Sequence, residues 1–187
     1  MKKFTRIEPT DVMVVGNRFK KSVVVKRFRT EDGLEHEFTT MYAEGVCGTA
    51  VLGLTLDNQV VIARQFRAGR ERYCDELPGG GVNEGEDLEV AARREFYEET
   101  GYRPGAMTYL GVNSWDGYNN CRSHCFLATD CTLDGEPVRD QTEIDQGMET
   151  VLISISQLIE NAKTDKMTDG VAVLMAYDEL KKRQGGE

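Results

Sequence analysis

Gly80, Glu86, Glu95, Glu98 and Glu99 are spaced so that carboxylates could gather beside a glycine turn. Leu88 to Glu99 has no proline or glycine and is rich in good helix formers. Gly85-Glu86-Asp87 supplies turn and cap chemistry in front of it, and acids at a helix start suit the dipole. Gly101 is placed as a left-handed stop, with Pro104 beyond. At about 100° per residue, Leu88 lies at zero, Ala92 near 40° and Ala91 near 300°. On the same wheel Glu95 falls near 340°, Glu99 near 20° and Glu98 near 280°. Arg93, Tyr97 and Val90 take the other side. The acids therefore share the small apolar face, the reverse of an ordinary amphipathic helix. Carboxylates crowded on a packing face repel each other and lose hydration, so either their pKa values rise or cations bind between them. Hard oxygen ligands on a rigid element suit Mg²⁺ or Mn²⁺. A bare acid-rich helix is ordinarily a solvated face, here with Arg94 pairing to Glu98. The coincidence of faces and the glycine turn favour a bound hard cation instead.

The elements that must hold this helix read mostly as strands. Ser22 to Arg29 and Glu35 to Tyr42 flank Glu31-Asp32-Gly33, a hairpin turn. Thr49 to Leu56 and Gln59 to Phe66 flank Asp57-Asn58, a second hairpin. Ala106 to Val112, Cys121 to Ala128 and Val151 to Ile155 read as further strands. Ser156 opens a helix through Ala162, and Asp169 opens a last one through about Lys181. Strands, helix, strands, helices imply an α/β class, a mixed sheet covered by helices on two sides.

Composition agrees with a compact enzyme. The chain has 187 residues, 40% hydrophobic and 29% charged, one domain with ample core and a small appendage. Its net charge of −9, from 23 basic and 32 acidic residues, argues against general nucleic-acid or anionic-membrane binding. An anionic small molecule stays open, because a metal and local arginines can invert the field. Met1-Lys2-Lys3-Phe4 has no apolar run behind it, which reads as no signal peptide. No stretch approaches the ~18 apolar residues of a membrane span. Five cysteines without disulfide-like spacing suit a cytoplasmic, reducing setting. Cys121, His124, Cys125 and Cys131 could be drawn as a zinc site, but strand alternation sets His124 apart from Cys121, Ser123, Cys125 and Leu127. Buried thiols are the better reading.

Gly80, five residues, Glu86, seven residues, then Arg94-Glu95-Phe96-x-Glu98-Glu99-x-Gly101-Tyr102 resembles the Nudix box. Tyr102 stands where an aliphatic residue is usual. The resemblance implies the Nudix fold, an α/β/α sandwich with a mixed sheet and the box helix beside it. It implies metal ligation by Glu95, Glu98, Glu99 and the Gly79 carbonyl, with Gly80, Glu86, Arg94 and Gly101 bracing the box. A strand ending Arg64-Gln65-Phe66-Arg67, followed by Glu76-Leu77-Pro78-Gly79-Gly80, is similar to the ADP-ribose pyrophosphatase branch. So are the N-terminal hairpin and the closing segment after Lys163-Thr164-Asp165. This implies residues 1–45 as a β extension that dimerises and 46–187 as the hydrolase domain. Members of the branch often carry Ser-Pro-Gly and then a glutamate after the strand that follows the box. Here that loop is Ser114-Trp115-Asp116-Gly117-Tyr118-Asn119-Asn120-Cys121, without the proline and with Cys121 in the glutamate's place.

The activity so implied is Mg²⁺-dependent hydrolysis of a nucleoside diphosphate joined to a second group, ADP-ribose or another nucleoside diphosphate sugar. Glu95, Glu98 and Glu99 would hold the metal, with Glu98 and Glu99 serving the chemistry directly. Arg67 is a phosphate or ribose clamp, since a guanidinium grips phosphate bidentately; as a bland alternative it is a surface ion pair. Arg64, Arg70 and Arg72 are weaker choices. Glu76 would hold the nucleobase or a metal shell, and Trp115 and Tyr118 would stack a base or simply cover the sheet edge. The branch takes its base from an acidic loop, here Gln141 to Glu149, where Glu143 and Glu149 both qualify. A nucleoside triphosphate pyrophosphohydrolase and a non-catalytic nucleotide sensor are the competing classes. The box acids, all retained, weigh against the sensor.

Overall fold

The computed structural model describes residues 2–14, 21–43, 47–114 and 116–185. Its contacts divide the chain into two units, Met1–Val46 with Ser114–Arg122, and Cys47–Asn113 with Ser123–Glu187.

The first unit is an antiparallel sheet of β1 (Phe4–Val14), β2 (Lys21–Thr30) and β3 (Glu35–Ala43), in that order. Alternation sends Phe4, Phe28, His36 and Phe38 into one aromatic group, with Phe28 and Phe38 centroids 5.8 Å apart. Arg27–Glu37 and Arg29–Glu35 ion pairs line cross-strand positions of the opposite parity. The β2–β3 turn closes through Gly33 at φ 81°, whose N–H donates to Thr30 O. The sequence reading has two strands here and lacks β1. Pro9 interrupts its pattern, and the β1–β2 register shifts between Ile7 and Asp11 around it, as a bulge accommodates a residue with no N–H to donate. The 114–122 segment joins this unit: Met41 N–H donates to Tyr118 O, and Asn119 bridges Met41.

The second unit contains β4 (Cys47–Thr55), β5 (Gln59–Arg67), β6 (Arg72–Glu76), α1 (Leu88–Thr100), β7 (Tyr102–Arg103), β8 (Ala106–Ser114), β9 (Arg122–Leu133), α2 (Gln141–Asp145), β10 (Glu149–Ser154), α3 (Ile155–Lys163), α4 (Gly170–Met175) and α5 (Tyr177–Gln184). The mixed sheet runs β10-β5-β4-β9-β7, with β6 on β5 and β8 on β9. Strand alternation builds a core on each face. Leu52, Leu54, Val60, Ile62 and Leu127 meet Leu158, Val173 and Leu180 of α3, α4 and α5. Val51, Val61, Phe126 and Ala128 meet Ala92 and Phe96 of α1. Each fully buried large apolar side chain contributes roughly 1.5–3 kcal/mol. The result is the α/β/α sandwich expected.

Four local differences from the sequence reading have physical reasons. Strand β6 and helix α2 are too short to show a period. Strand β9 continues to Leu133 because Asp130 takes a left-handed φ of 55° and returns Cys131 to the α1 face. Helix α3 starts earlier, capped by Ser154, whose Oγ accepts from Gln157 N–H. The last helix is broken at Ala176, which lets Ala172 and Val173 of α4 and Leu180 of α5 reach one core. Among the described residues no helix is long and apolar enough to cross a membrane.

A methyl group at Gly53 on β4 would overlap the Phe96 ring. Gly53→Ala is expected to lower stability by about 1–3 kcal/mol, seen as a lower urea midpoint at unchanged slope. An unchanged midpoint would mean that the ring yields freely.

Candidate active site

Helix α1 is fixed at both ends by its own residues. Asp87 caps it, its carboxylate accepting from Glu89 and Val90 N–H. Gly101 ends it at φ 76°, where a side chain would also run into Gly135 O. The face deduced from spacing is the one buried: Ala91, Ala92 and Phe96 are fully covered and Glu99 is 5% exposed. The Glu95 side chain is 14% exposed and that of Glu98 40%, so the three acids form a gradient from core to solvent. Val90 is exposed on the other side.

The turn before the helix shows why glycines stand there. Thr49 N–H donates to Gly80 O and Val51 N–H to Pro78 O, so the turn runs along β4. Gly79 lies between and turns its N–H to Glu99 Oε2 at 2.9 Å. A Cβ at Gly79 would overlap Thr49 O, and one at Gly80 would overlap the Glu95 carboxylate. Close approach of backbone to carboxylate thus requires both glycines.

Arg94 binds the box together. It donates to Glu86 at 2.8 and 2.9 Å, to Glu95 at 2.7 Å, to Glu98 at 3.1 Å and to Gly81 O at 3.0 Å. Glu86 also accepts from Asn83 N–H. The Arg94 guanidinium, with Asn83 N–H, holds the Glu86 carboxyl down at about 2. Desolvation acts the other way deeper in. Burial pushes Glu95 up, and it pushes Glu99 well up, with Glu143, Glu95 and Glu76 adding repulsion. The Gly79 N–H opposes these on Glu99, and Arg67 stands near enough to couple to it.

Glu143 and Glu149 are separated by strand parity. Thr150 turns to α1, its Oγ1 reaching Glu99 O at 3.3 Å, whereas Val151 and Ile153 pack in the α3 core. Glu149 shares the parity of Val151 and sits opposite Arg64, whose charge it influences. Glu143 in α2 instead acts on Glu95 and Glu99 and feels Glu98. Burial first, then Asp140 and Glu98, raise its pKa. Glu149 therefore belongs to the face away from the box, contrary to the equal standing that loop position gives it.

Arg67 does not present a free fork. Its Nε donates to Glu76 Oε1 at 2.7 Å, its Nη2 bonds Glu76 Oε2, and its Nη1 reaches Gln146 Oε1 at 3.2 Å. Glu76, 7% exposed, also accepts from Gln65. This is a half-buried pair, more enclosed than the surface ion pair named as the alternative. Arg64 is taken up by Asp75, and Arg70 and Arg72 by Asp165. Tyr118 belongs to the first unit, and Trp115 lies outside the described residues. The structure adds Asp169, Gln65, Gln146 and Arg139, to which the sequence reading gives no place in the site. Asp169 reads as a helix cap, yet its carboxylate accepts from Leu77 N–H at 3.0 Å and burial raises its pKa. Cys125 and Cys131 face opposite cores, and burial pushes their thiols to about 11 and about 12. His124 stacks on Tyr109 and shares a hydrogen bond with its hydroxyl.

The donor set suits a hard cation. Among the described residues no three acidic or soft side chains converge tightly enough to enclose an ion alone. Mg²⁺ is commonly held by one or two carboxylates completed by waters and substrate phosphates, and the buried, mutually repelling Glu99 and Glu95 fit that role.

The family model of the NUDIX domain matches residues 47–174. The chain belongs to the Nudix family. It is 32% identical over 114 residues to an ADP-ribose pyrophosphatase of Bacillus subtilis, across 60% of this chain and 62% of that one. It is 34% identical over 115 residues to an ADP-sugar pyrophosphatase of Mus musculus, across 60% of this chain and 53% of that one. The matched segment thus spans less than two thirds of either relative. A solved structure described as an ADP compounds hydrolase superposes with a TM-score of 0.79 at 18% identity, covering 97% of this chain and 96% of the other, and so shares the fold.

Because folding raises the Glu99 pKa, ionised Glu99 destabilises the metal-free protein at neutral pH, and this loss vanishes as pH falls below the ordinary carboxylate value of about 4.3. Glu99→Gln keeps an acceptor for Gly79 and removes the charge. In EDTA it is expected to melt at or above the wild-type temperature at pH 7, with the gain shrinking toward pH 4. A lower melting temperature at pH 7 would contradict the assigned repulsion.

Proposed function

We propose that this chain hydrolyses the pyrophosphate bond of ADP-ribose or a similar nucleoside diphosphate sugar, giving a nucleoside monophosphate and a sugar phosphate. The observation that carries the reading is the Glu99 carboxylate, buried on the box helix against Gly79 N–H, with Glu95 and Glu143 adding repulsion. The branch is supported by the two relatives named for ADP-ribose and ADP-sugars.

Glu95, Glu98, Glu99 and the Gly79 carbonyl would hold Mg²⁺, which when bound offsets phosphate charge and makes water more acidic. Glu143 takes the proton from the attacking water, a task that its raised pKa suits. The water oxygen bonds to one phosphorus as that phosphorus loses its bridging oxygen to the other product. Arg67, held by Glu76 and Gln146, sets a positive group near Glu99 and Asp169 and meets the phosphates or the proximal ribose. Glu76 holds Arg67 ready. The free thiols Cys74, Cys121, Cys125 and Cys131 accord with a cytoplasmic setting.

Under one Mg²⁺ concentration, kcat/KM should be higher for ADP-ribose or another nucleoside diphosphate sugar than for any triphosphate. A preference for a triphosphate of more than about tenfold, roughly 1.4 kcal/mol, would move the chain to the triphosphate class, and binding without product would make it a sensor. Glu143→Gln should lower kcat by about 10²–10⁴-fold, while Glu149→Gln stays near wild type; the reverse order would reassign the base.

We also propose that residues 1–45 pair two copies of the chain. The partly exposed aromatic group of Phe4, Phe28 and Phe38 supports this. Light scattering at micromolar concentration should give the dimer mass, and a monomer would refute the pairing.

A further inference from the structure

The C-terminal end of α1 leaves backbone carbonyls that its own turns cannot satisfy, and its last turn carries no basic residue to offset the dipole. The segment leading into α2 supplies what is missing. Val138 N–H donates to Glu98 O at 2.7 Å. Arg139 donates to Glu99 O through Nε at 3.1 Å and Nη2 at 2.9 Å, and Nη2 also reaches Thr150 Oγ1 at 2.7 Å. Thr150 Oγ1 donates to the same carbonyl. Asp140, the next residue, caps α2, and Glu143 closes that cap by accepting from Asp140 N–H at 2.7 Å. One guanidinium therefore ties the helix that bears Glu99 to the short helix that bears Glu143.

We propose that Arg139 is a positioning residue: it sets the Glu143 carboxylate against the box carboxylates by clamping the Glu99 carbonyl and Thr150 while its neighbour caps α2. The inference rests on the hydrolase reading given above. The arrangement needs such a clamp because Glu143, Glu95 and Glu99 repel one another and would move apart if free. Helix α2 spans only Gln141–Asp145 and buries none of its residues, so packing alone does not hold it. Arg139 brings its charge to the negative end of α1 and also favours the ionised form of Glu143. A lysine at this position would keep the charge but lose the fork.

The test uses full-length Arg139→Gln and Arg139→Lys with two readouts. In steady state on ADP-ribose with Mg²⁺, Arg139→Gln should lose on the order of 10²-fold in kcat, as a misplacement of about 1 Å can cost. KM should stay within about threefold, since a group that acts only in the transition state leaves binding alone, and Arg139→Lys should fall between. In EDTA, amide exchange at Gly79, whose N–H is held by the Glu99 side chain, should quicken roughly tenfold in Arg139→Gln, as weakening a charged hydrogen bond permits. Unchanged Gly79 exchange, or a kcat loss below about threefold, would overturn the proposal, as would a loss confined to KM. If wild type releases no product from any nucleotide, the hydrolase reading fails by itself and the exchange measurement still decides whether the Arg139 clamp on the Glu99 carbonyl, through which Glu143 is set against the box, holds. Should Arg139→Gln not fold, Arg139→Lys and Thr150→Val carry the same two readouts.

Discussion

Burying Glu99 is the constraint around which the second unit is built. An ionised carboxylate out of water is costly unless something answers it, and here the nearest charges include three further acids. The structure answers with backbone before side chains. Gly79 gives its N–H, and this requires a residue with no Cβ against Thr49 O. That in turn fixes the turn along β4, since Pro78 and Gly80 must spend their carbonyls on Val51 and Thr49. The glycine at 79 and the path of the turn along β4 thus go with the hydrogen bond to Glu99, and the glycine at 80 with the neighbouring Glu95 carboxylate.

The sheet sorts the remaining charges. Asp75 and Glu76 are neighbours in sequence, so a strand sends them to opposite faces. Asp75 meets Arg64 and Asn161 on the α3 side, where it also anchors the segment before α4 through backbone bonds to Lys166 and Thr168. Glu76 meets Arg67 and Gln65 on the side of the box. The first pair joins sheet to helix; the second stands near Glu99 and Asp169 and shapes the field there. The same parity divides Glu149 from Thr150 two strands away.

What was legible in the sequence follows from range. The α1 helix, its Asp87 and Gly101 ends and its buried acidic face depend on neighbours within a few turns, so spacing alone located them. The two-sided sandwich followed from the order of strands and helices along the chain. Strand β1 was hidden by Pro9, and β6 and α2 by their brevity. The partnership of Arg67 with Glu76 depends on the β5–β6 register that sets Ala63 opposite Glu76. The bond from Arg139 to the Glu99 carbonyl spans 40 residues. Neither leaves a periodic trace, and so loop position alone could not choose between Glu143 and Glu149.

The charge balance also bears on what the site accepts. Glu76, Glu95, Glu98, Glu99, Glu143 and Asp169 act on one another, and Arg67, Arg94 and Arg139 are the arginines bonded among them. Arg94 is already divided between Glu86, Glu95 and Glu98, and Arg139 is committed to a carbonyl. Among the described residues these arginines are thus already engaged, so a phosphate added to a substrate would compete with Glu76 for Arg67. A pyrophosphate flanked by neutral sugars asks least of this field. A triphosphate asks for another compensating cation at the place where a second sugar would ask for none. This electrostatic argument supports the proposed preference for diphosphate sugars on grounds independent of the box, whose residues would govern how a pyrophosphate is attacked and leave open what is attached to it.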